Sequence, residues 1–239
     1  EAAKAVHHPL YFANLMVASG DAAGCIASAV HTTADSVRAA IRCNEMEPGF
    51  RRISSAHIMA VQDASYGHQG LFVFSDAAIN PDPSAVELAE IAIASANTAR
   101  KVFGVEPLVA LLSFSTKGSA KHKLSDKVID ALRYVEQRSP NLAIDGELQA
   151  DAALVPSVGQ SKSPGSRVAG RANVMIFPDL NSANIGYKLV ARLGNGALLA
   201  VLLQGLNRPP NIVSRGCSAD DVYHTAILTA VQALEASRG

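Results

Sequence analysis

The 239-residue sequence has no net charge: 21 basic side chains balance 21 acidic ones, and the isoelectric point is near 7.3. A chain without a basic field has no general pull on polyanions, so sequence-independent nucleic-acid binding is disfavoured and any anion must be met by local groups. Long apolar runs are also missing. None approaches the ~20 residues needed to cross a bilayer, and the opening EAAKAVHHPLYF has no signal-peptide pattern. These absences predict a cytoplasmic protein with no membrane partner. The first residue is Glu1 rather than Met, which points to a processed product or a fragment. Cysteine is sparse: Cys25, Cys43 and Cys217 lie far apart with no C-x-x-C pair, so a zinc ribbon or a dithiol redox motif is not expected, and the odd count fits a reducing compartment. The seven histidines never fall at ligand spacing with a carboxylate, so no metal is expected. The motifs H-E-x-x-H, G-x-S-x-G and G-x-G-x-x-G after a strand are absent, which removes the signals for zinc proteolysis, α/β-hydrolase chemistry and dinucleotide binding.

What is present is an ordinary globular composition, 49% apolar and 18% charged, with ample core for one large domain or two small ones. Residues 9–17 read as a helix, 24–30 as a buried strand, and Thr32 and Thr33 open a helix through Cys43. Residues 53–61 and 71–74 read as neighbouring strands joined by the turn 65–70. Ser84 and Glu87 form a capping box for a helix to about Val102. Strands follow at 108–113, 141–144, 173–177 and 197–203, with helices at 125–137 and 185–192. Short apolar strands alternating with helices predict an α/β protein with a largely parallel sheet or sheets. Residues 156–170, PSVGQSKSPGSRVAG, are turn-rich and aperiodic, and read as a surface loop or lid.

The chain is organised around residues 204–221, QGLNRPPNIVSRGCSADD. This stretch places an arginine, a hydroxyl, a thiol and two carboxylates just before a helix start, where free backbone N–H groups attract anions. A phosphorylated ligand is the natural expectation. Ser218 and Asp221 have capping-box spacing, so Asp221 reads either as a cap or as a functional carboxylate. Arg215 reads as a solvated charge unless a phosphate or carboxylate engages its planar fork. Cys217 reads as packing or as a nucleophile. Two further places carry the same ambiguity. His31, Thr32 and Thr33 sit where a strand feeds a helix, a position that binds ligands in α/β folds or merely caps. Residues 113–119, SFSTKGS, could cradle a phosphate with backbone N–H groups, although Lys117 precedes Gly118 and so departs from the Walker order.

Several stretches together resemble the phosphate acetyltransferase (phosphotransacetylase) family, including its ethanolamine-utilisation branch. They are FSDAAINPDPSAVELAEIAIASANTAR (74–100), VALLSFSTKGSAKH (109–122), DGELQADAALVP (145–156), SPGSRVAGRANVMIFPDLNSANIGYKLVARL (163–193), LQGLNRPPN and SRGCSADD. The resemblance implies two α/β domains with largely parallel sheets and an active-site cleft between them. Residues 1–52 with 204–239 would form domain one and 53–203 domain two. It also implies a further N-terminal segment that nothing here supplies, leaving the first domain incomplete.

The implied reaction is reversible, metal-free transfer of an acetyl group between acetyl phosphate and coenzyme A, with coenzyme A as substrate and no bound cofactor, in a homodimer. By the same resemblance Asp221 would be the general base for the thiol and Ser214 would hydrogen-bond in the transition state. Arg215 and Arg192 would contact the phosphate and acyl oxygens, and Arg38 would meet coenzyme A. A longer acyl phosphate such as butyryl is the nearest alternative substrate. A regulatory module that binds acyl coenzyme A without turnover is the alternative from another class.

Overall fold

The structure is a computed structural model that describes residues 6–236; residues 1–5, the start of the stretch read as lacking a signal-peptide pattern, and 237–239 lie outside it. In chain order the elements are α1 (Pro9–Ser19), β1 (Cys25–Ala27), α2 (Thr33–Cys43), β2 (Ser54–Ala60) and β3 (Leu71–Ser75). Next come α3 (Ala85–Phe103), β4 (Val109–Leu112), α4 (Lys123–Arg138), β5 (Ile144–Leu148), α5 (Ala150–Leu154) and α6 (Pro156–Lys162). The chain ends with β6 (Val174–Ile176), α7 (Leu180–Leu193), β7 (Ala197–Gln204), β8 (Pro210–Ile212) and α8 (Ala219–Ala236). It is an α/β protein whose described residues form two compact units, 6–55 with 199–236, and 56–198.

In the first unit β8 lies between β1, its parallel partner in the register Ala27↔Ile212, and β7, its antiparallel partner. α1 starts where His8 Nδ1 accepts from Leu10 N at 3.3 Å, and stops at Gly20, whose φ of 89° suits a residue without Cβ. α2 starts at Thr32, whose hydroxyl accepts from Asp35 N at 3.1 Å. The core of this unit is modest, with Leu10, Val17, Ala39, Ala40, Leu202 and Ile212 buried.

The second unit has the strand order β2-β3-β6-β4-β5, parallel from β3 onward, with β2 antiparallel to β3, so the neighbouring strands joined by the turn 65–70 form a hairpin. Its core packs Met59, Phe72, Phe74, Leu112, Leu148 and Met175 together. α3 buries Ala89, Ala92, Ala96 and Ala99. Its Ser84–Glu87 capping box is made in both directions, and it ends on Gly104 in the left-handed region.

Three expectations are corrected. β5 begins at Ile144, where the sequence reading ends its strand, because the polar run Asp145-Gly146-Glu147 belongs in the sheet: other parts of the chain satisfy its side chains. Residues 156–170 are loop only from 163 onward. Residues 156–162 form α6 behind Pro156, and a Cβ on Gly159 would lie 2.6 Å from Gly170 N and 2.7 Å from Ala169 C, so the stretch is pressed against itself. The third is β8, a strand inside the stretch read as loop. Its Pro210 has no N–H to donate, and Asn211 is a poor strand former, so its pattern carries no strand signal.

Candidate functional site

Because β1 and β8 are parallel and in register, the connections that follow them leave at the same end, the carboxyl end at which ligands bind in α/β sheets. After β1 come Ser28 to Thr32. After β8 come Val213 to Ser218, and Val213 N extends the ladder by donating to Ala27 O at 3.0 Å. The β8 connection then turns, with Cys217 N donating to Ser214 O at 3.2 Å. Ser214 and Arg215 are exposed on this turn, and Arg215 has no ion-pair partner among the described residues.

Asp221 sits in the first turn of α8. Its Oδ2 accepts from Ser218 N at 2.8 Å while its own N–H donates to Ser218 Oγ at 3.1 Å, so the capping reading is realised in both directions. The cap engages one carboxylate oxygen. Oδ1 makes no hydrogen bond among the described residues, so a carboxylate locked at one oxygen presents the other.

Arg38 lies on α2, the helix that follows β1. Its guanidinium pairs with Asp35 Oδ1 at 2.7 Å, and Thr32 donates to Asp35 Oδ2 at 2.6 Å. The Thr32 hydroxyl, and then Arg38, hold the Asp35 carboxyl below the usual carboxylate range. Thr32 is therefore engaged as a cap, and Arg38 must exchange a solvent-exposed carboxylate for any ligand. Such an exposed pair is worth little and is readily given up. His31 stands beside His8, ring centroids 5.1 Å apart, a neighbour that nothing in the sequence spacing predicts.

The structure thus carries Ser214, Arg215 and Asp221 on one short connection and Arg38 in the same unit. Arg192 belongs to the other unit, exposed in the last turn of α7 and without an ion-pair partner among the described residues.

The SFSTKGS loop does not offer a phosphate cradle, because its donors are used internally. Gly118 N donates to Glu147 Oε1 at 2.8 Å, Lys117 N to Glu147 O, Thr116 N to Ser119 Oγ and Ser115 N to Ser113 Oγ. The buried Glu147 carboxylate, also bonded by Ser115 Oγ at 2.7 Å, occupies the place an anion would take. Burial pushes the Cys25 thiol up to about 11, with Cys43 adding to it, so this thiol is no nucleophile near neutral pH. No three His, Cys, Asp or Glu among the described residues are placed to hold a metal ion, and no described helix is long and apolar enough to cross a membrane.

A cavity of about 890 Å³ in the first unit is lined by Ala23, Asn44, Glu45, Arg208, Pro209 and Leu234. Ala23 and Pro209 precede β1 and β8, so this space lies at the amino ends of the strands, away from Ser214 and Asp221. The strand-end rule and the placement of the chemistry-bearing side chains favour the carboxyl end as the site.

Residues 1–230 match the family model described as phosphate acetyl/butaryl transferase. The chain belongs to this family. A phosphate acetyltransferase from Thermoanaerobacterium thermosaccharolyticum is 50% identical over 233 residues, covering 98% of this chain and 71% of the relative. One from Bacillus subtilis is 49% identical over 234 residues, covering 98% and 70%. The crystal structure of a phosphotransacetylase from Streptococcus pyogenes superposes with a TM-score of 0.88 at 49% identity, covering 94% of this chain and 67% of that one. For a phosphate acetyl/butaryl transferase, the grouping of a hydroxyl, an unpaired guanidinium and a half-free carboxylate on one strand-to-helix connection has a direct chemical reading.

Proposed function

We propose that this chain is a phosphate acetyltransferase that interconverts acetyl phosphate and coenzyme A with acetyl coenzyme A and inorganic phosphate. The observation that carries the reading is the β8–α8 connection, which presents Ser214, Arg215 and the free Oδ1 of Asp221 within eight residues at the carboxyl end of a parallel strand pair. Asp221 takes the thiol proton as the sulfur–carbon bond forms. A free thiol of pKa ~8.5 is mostly protonated at neutral pH, so this assistance is worth ~10²- to 10⁴-fold.

The acyl carbonyl becomes an oxyanion, the bond between the acyl carbon and the bridging phosphate oxygen then breaks, and the phosphate leaves with the electron pair. Ser214 and Arg215 supply hydrogen bonds where that charge grows, and stabilising this charge lowers the barrier more than any other single effect in most acyl transfers. In this reading Arg192 contributes a second guanidinium to the phosphate and Arg38 meets the phosphates of coenzyme A. Coenzyme A is a substrate here, no further cofactor is called for, and the enzyme works as a cytoplasmic homodimer.

The test is thioester formation, followed by ultraviolet absorbance, from coenzyme A with acetyl, propionyl or butyryl phosphate. Turnover fastest with acetyl phosphate supports the proposal. Turnover fastest with butyryl phosphate moves it to the longer acyl chain. Coenzyme A binding by calorimetry without any turnover would replace it with a binding module.

A further inference from the structure

The proposed roles of Ser214, Arg215 and Asp221 require that strand β8, whose connection carries the first two, and the helix carrying the third keep one axial alignment. The Ser218–Asp221 cap cannot supply this, because both partners move with the helix. We infer that Asn211 is a positioning residue that locks α8 to β8 and so places Asp221 against Ser214 and Arg215, an inference that rests on the proposed function.

Asn211 is fully buried at the centre of β8, three residues before Ser214. Its Oδ1 accepts from Leu203 N of β7 at 2.7 Å. A backbone N–H can only donate, so this bond fixes which end of the amide is oxygen. The NH₂ group must then point the other way, and it donates to Thr229 Oγ1 at 2.8 Å and to Gln232 Oε1 at 2.6 Å, both on α8. Thr229 completes the chain by donating to Thr225 O at 2.6 Å.

One side chain therefore ties two strands and a helix, with every polar hydrogen and one carbonyl lone pair committed. The packing at the same level is equally close: a Cβ on Gly24 would lie 2.8 Å from Thr229 Cγ2 and 2.9 Å from Pro209 O, so the helix meets the starts of β1 and β8 where only a glycine fits.

Thr229 is eight residues beyond Asp221, about 12 Å along a rigid helix, so fixing the helix here fixes the axial position of the carboxylate. A helix that slips by one residue moves it by about 1.5 Å. A misplacement of ~1 Å can cost ~10²-fold in rate. Two hydrogen bonds from Asn211 to residues three apart on one helix face add directional bonds to the close packing at Gly24 and so define the register.

The experiment compares wild type with the double variant Thr229→Val, Gln232→Leu, which removes both acceptors and leaves the Asn211–Leu203 bond in place. A second double variant, Thr229→Ser, Gln232→Glu, keeps both acceptors. Each is measured for kcat and KM with acetyl phosphate and coenzyme A, and for amide hydrogen exchange across residues 213–221. The first variant is expected to lose ~10- to 100-fold in kcat with little change in KM, and to exchange faster at 213–221, while the second stays near wild type in both. If the first variant does not fold, Gln232→Leu alone carries the comparison, since Thr229 still accepts.

Unchanged kcat together with unchanged exchange overturns the inference. So does faster exchange spread evenly over the unit, which is the mark of general destabilisation. If the wild type forms no thioester, the proposed function falls, and the exchange comparison alone then decides the positioning role.

Discussion

At the residue scale, Asp221 carries two loads that substitution can separate. Its Oδ2 closes the cap with Ser218 N, and its Oδ1 is the oxygen proposed to receive the thiol proton. An Asp221→Asn variant keeps a carbonyl oxygen that can accept from Ser218 N but has no base, so it is expected to stay folded while kcat falls ~10²- to 10⁴-fold. Ser218→Ala does the reverse, losing about 1 kcal/mol of helix stability with a much smaller effect on rate. Thermal melts and steady-state kinetics on the two variants read the two loads independently. Equal losses in both quantities for both variants would mean that Asp221 acts only as a cap.

At the element scale, the loop after β4 depends on a carboxylate from β5. Glu147, 2% exposed, accepts from Ser115 Oγ and Gly118 N, and Thr116 Oγ1 accepts from Gln149 N at 2.9 Å. Replacing Glu147 with Leu removes the acceptor of Gly118 N and the shortest bond of Ser115 Oγ, which keeps only its longer contacts to Ser119 Oγ and Ala120 O, at ~1–3 kcal/mol for each lost bond. The expected loss is therefore about 2–6 kcal/mol in a urea unfolding experiment. Glu147→Gln retains an acceptor and should lose clearly less. Equal losses for the two would assign the effect to packing rather than to the hydrogen bonds.

The same element shows why a hydroxyl- and glycine-rich loop is an ambiguous signal. SFSTKGS has the composition of an anion cradle, and one of its N–H groups and one of its hydroxyls do meet an anion. That anion is a side chain more than 25 residues further along the chain, which no local pattern reveals.

At the scale of the whole molecule, pH response follows from buried groups. His57 on β2 is 2% exposed, its Nδ1 has no hydrogen-bond partner, and its ring lies 4.8 Å from that of Tyr187. Burial pushes its pKa down from 6.5 to about 3. The folded state therefore refuses a proton that the unfolded chain accepts below pH ~6.5, so the stability tied to neutral His57 is whole above that pH and declines as pH falls toward 3. The limiting slope is ~1.36 kcal/mol per pH unit. His57→Phe keeps the ring contact and removes the titration, so the difference in stability between variant and wild type should widen in the variant's favour from pH 7 to pH 4. Denaturant midpoints at several pH values measure it, and parallel curves would show that other groups govern the acid response.

Features that depend on near neighbours are readable from the order of residues alone. The caps at Ser84, Thr32 and Ser218 join groups no more than three residues apart, the β2–β3 hairpin joins adjacent strands, and the apolar runs report strands because burial selects them. The chemistry-bearing run from Ser214 to Asp221 is legible for the same reason, being continuous in the chain. Where polar residues enter the sheets is settled only once the chain has folded. β5 accepts Asp145 and Glu147, and β8 accepts Asn211, because partners far along the chain satisfy them: Lys117 for Asp145, Ser115 and Gly118 for Glu147, and Leu203, Thr229 and Gln232 for Asn211. A buried polar group is costly until its partner is in place, and no local pattern of residues says where that partner will come from.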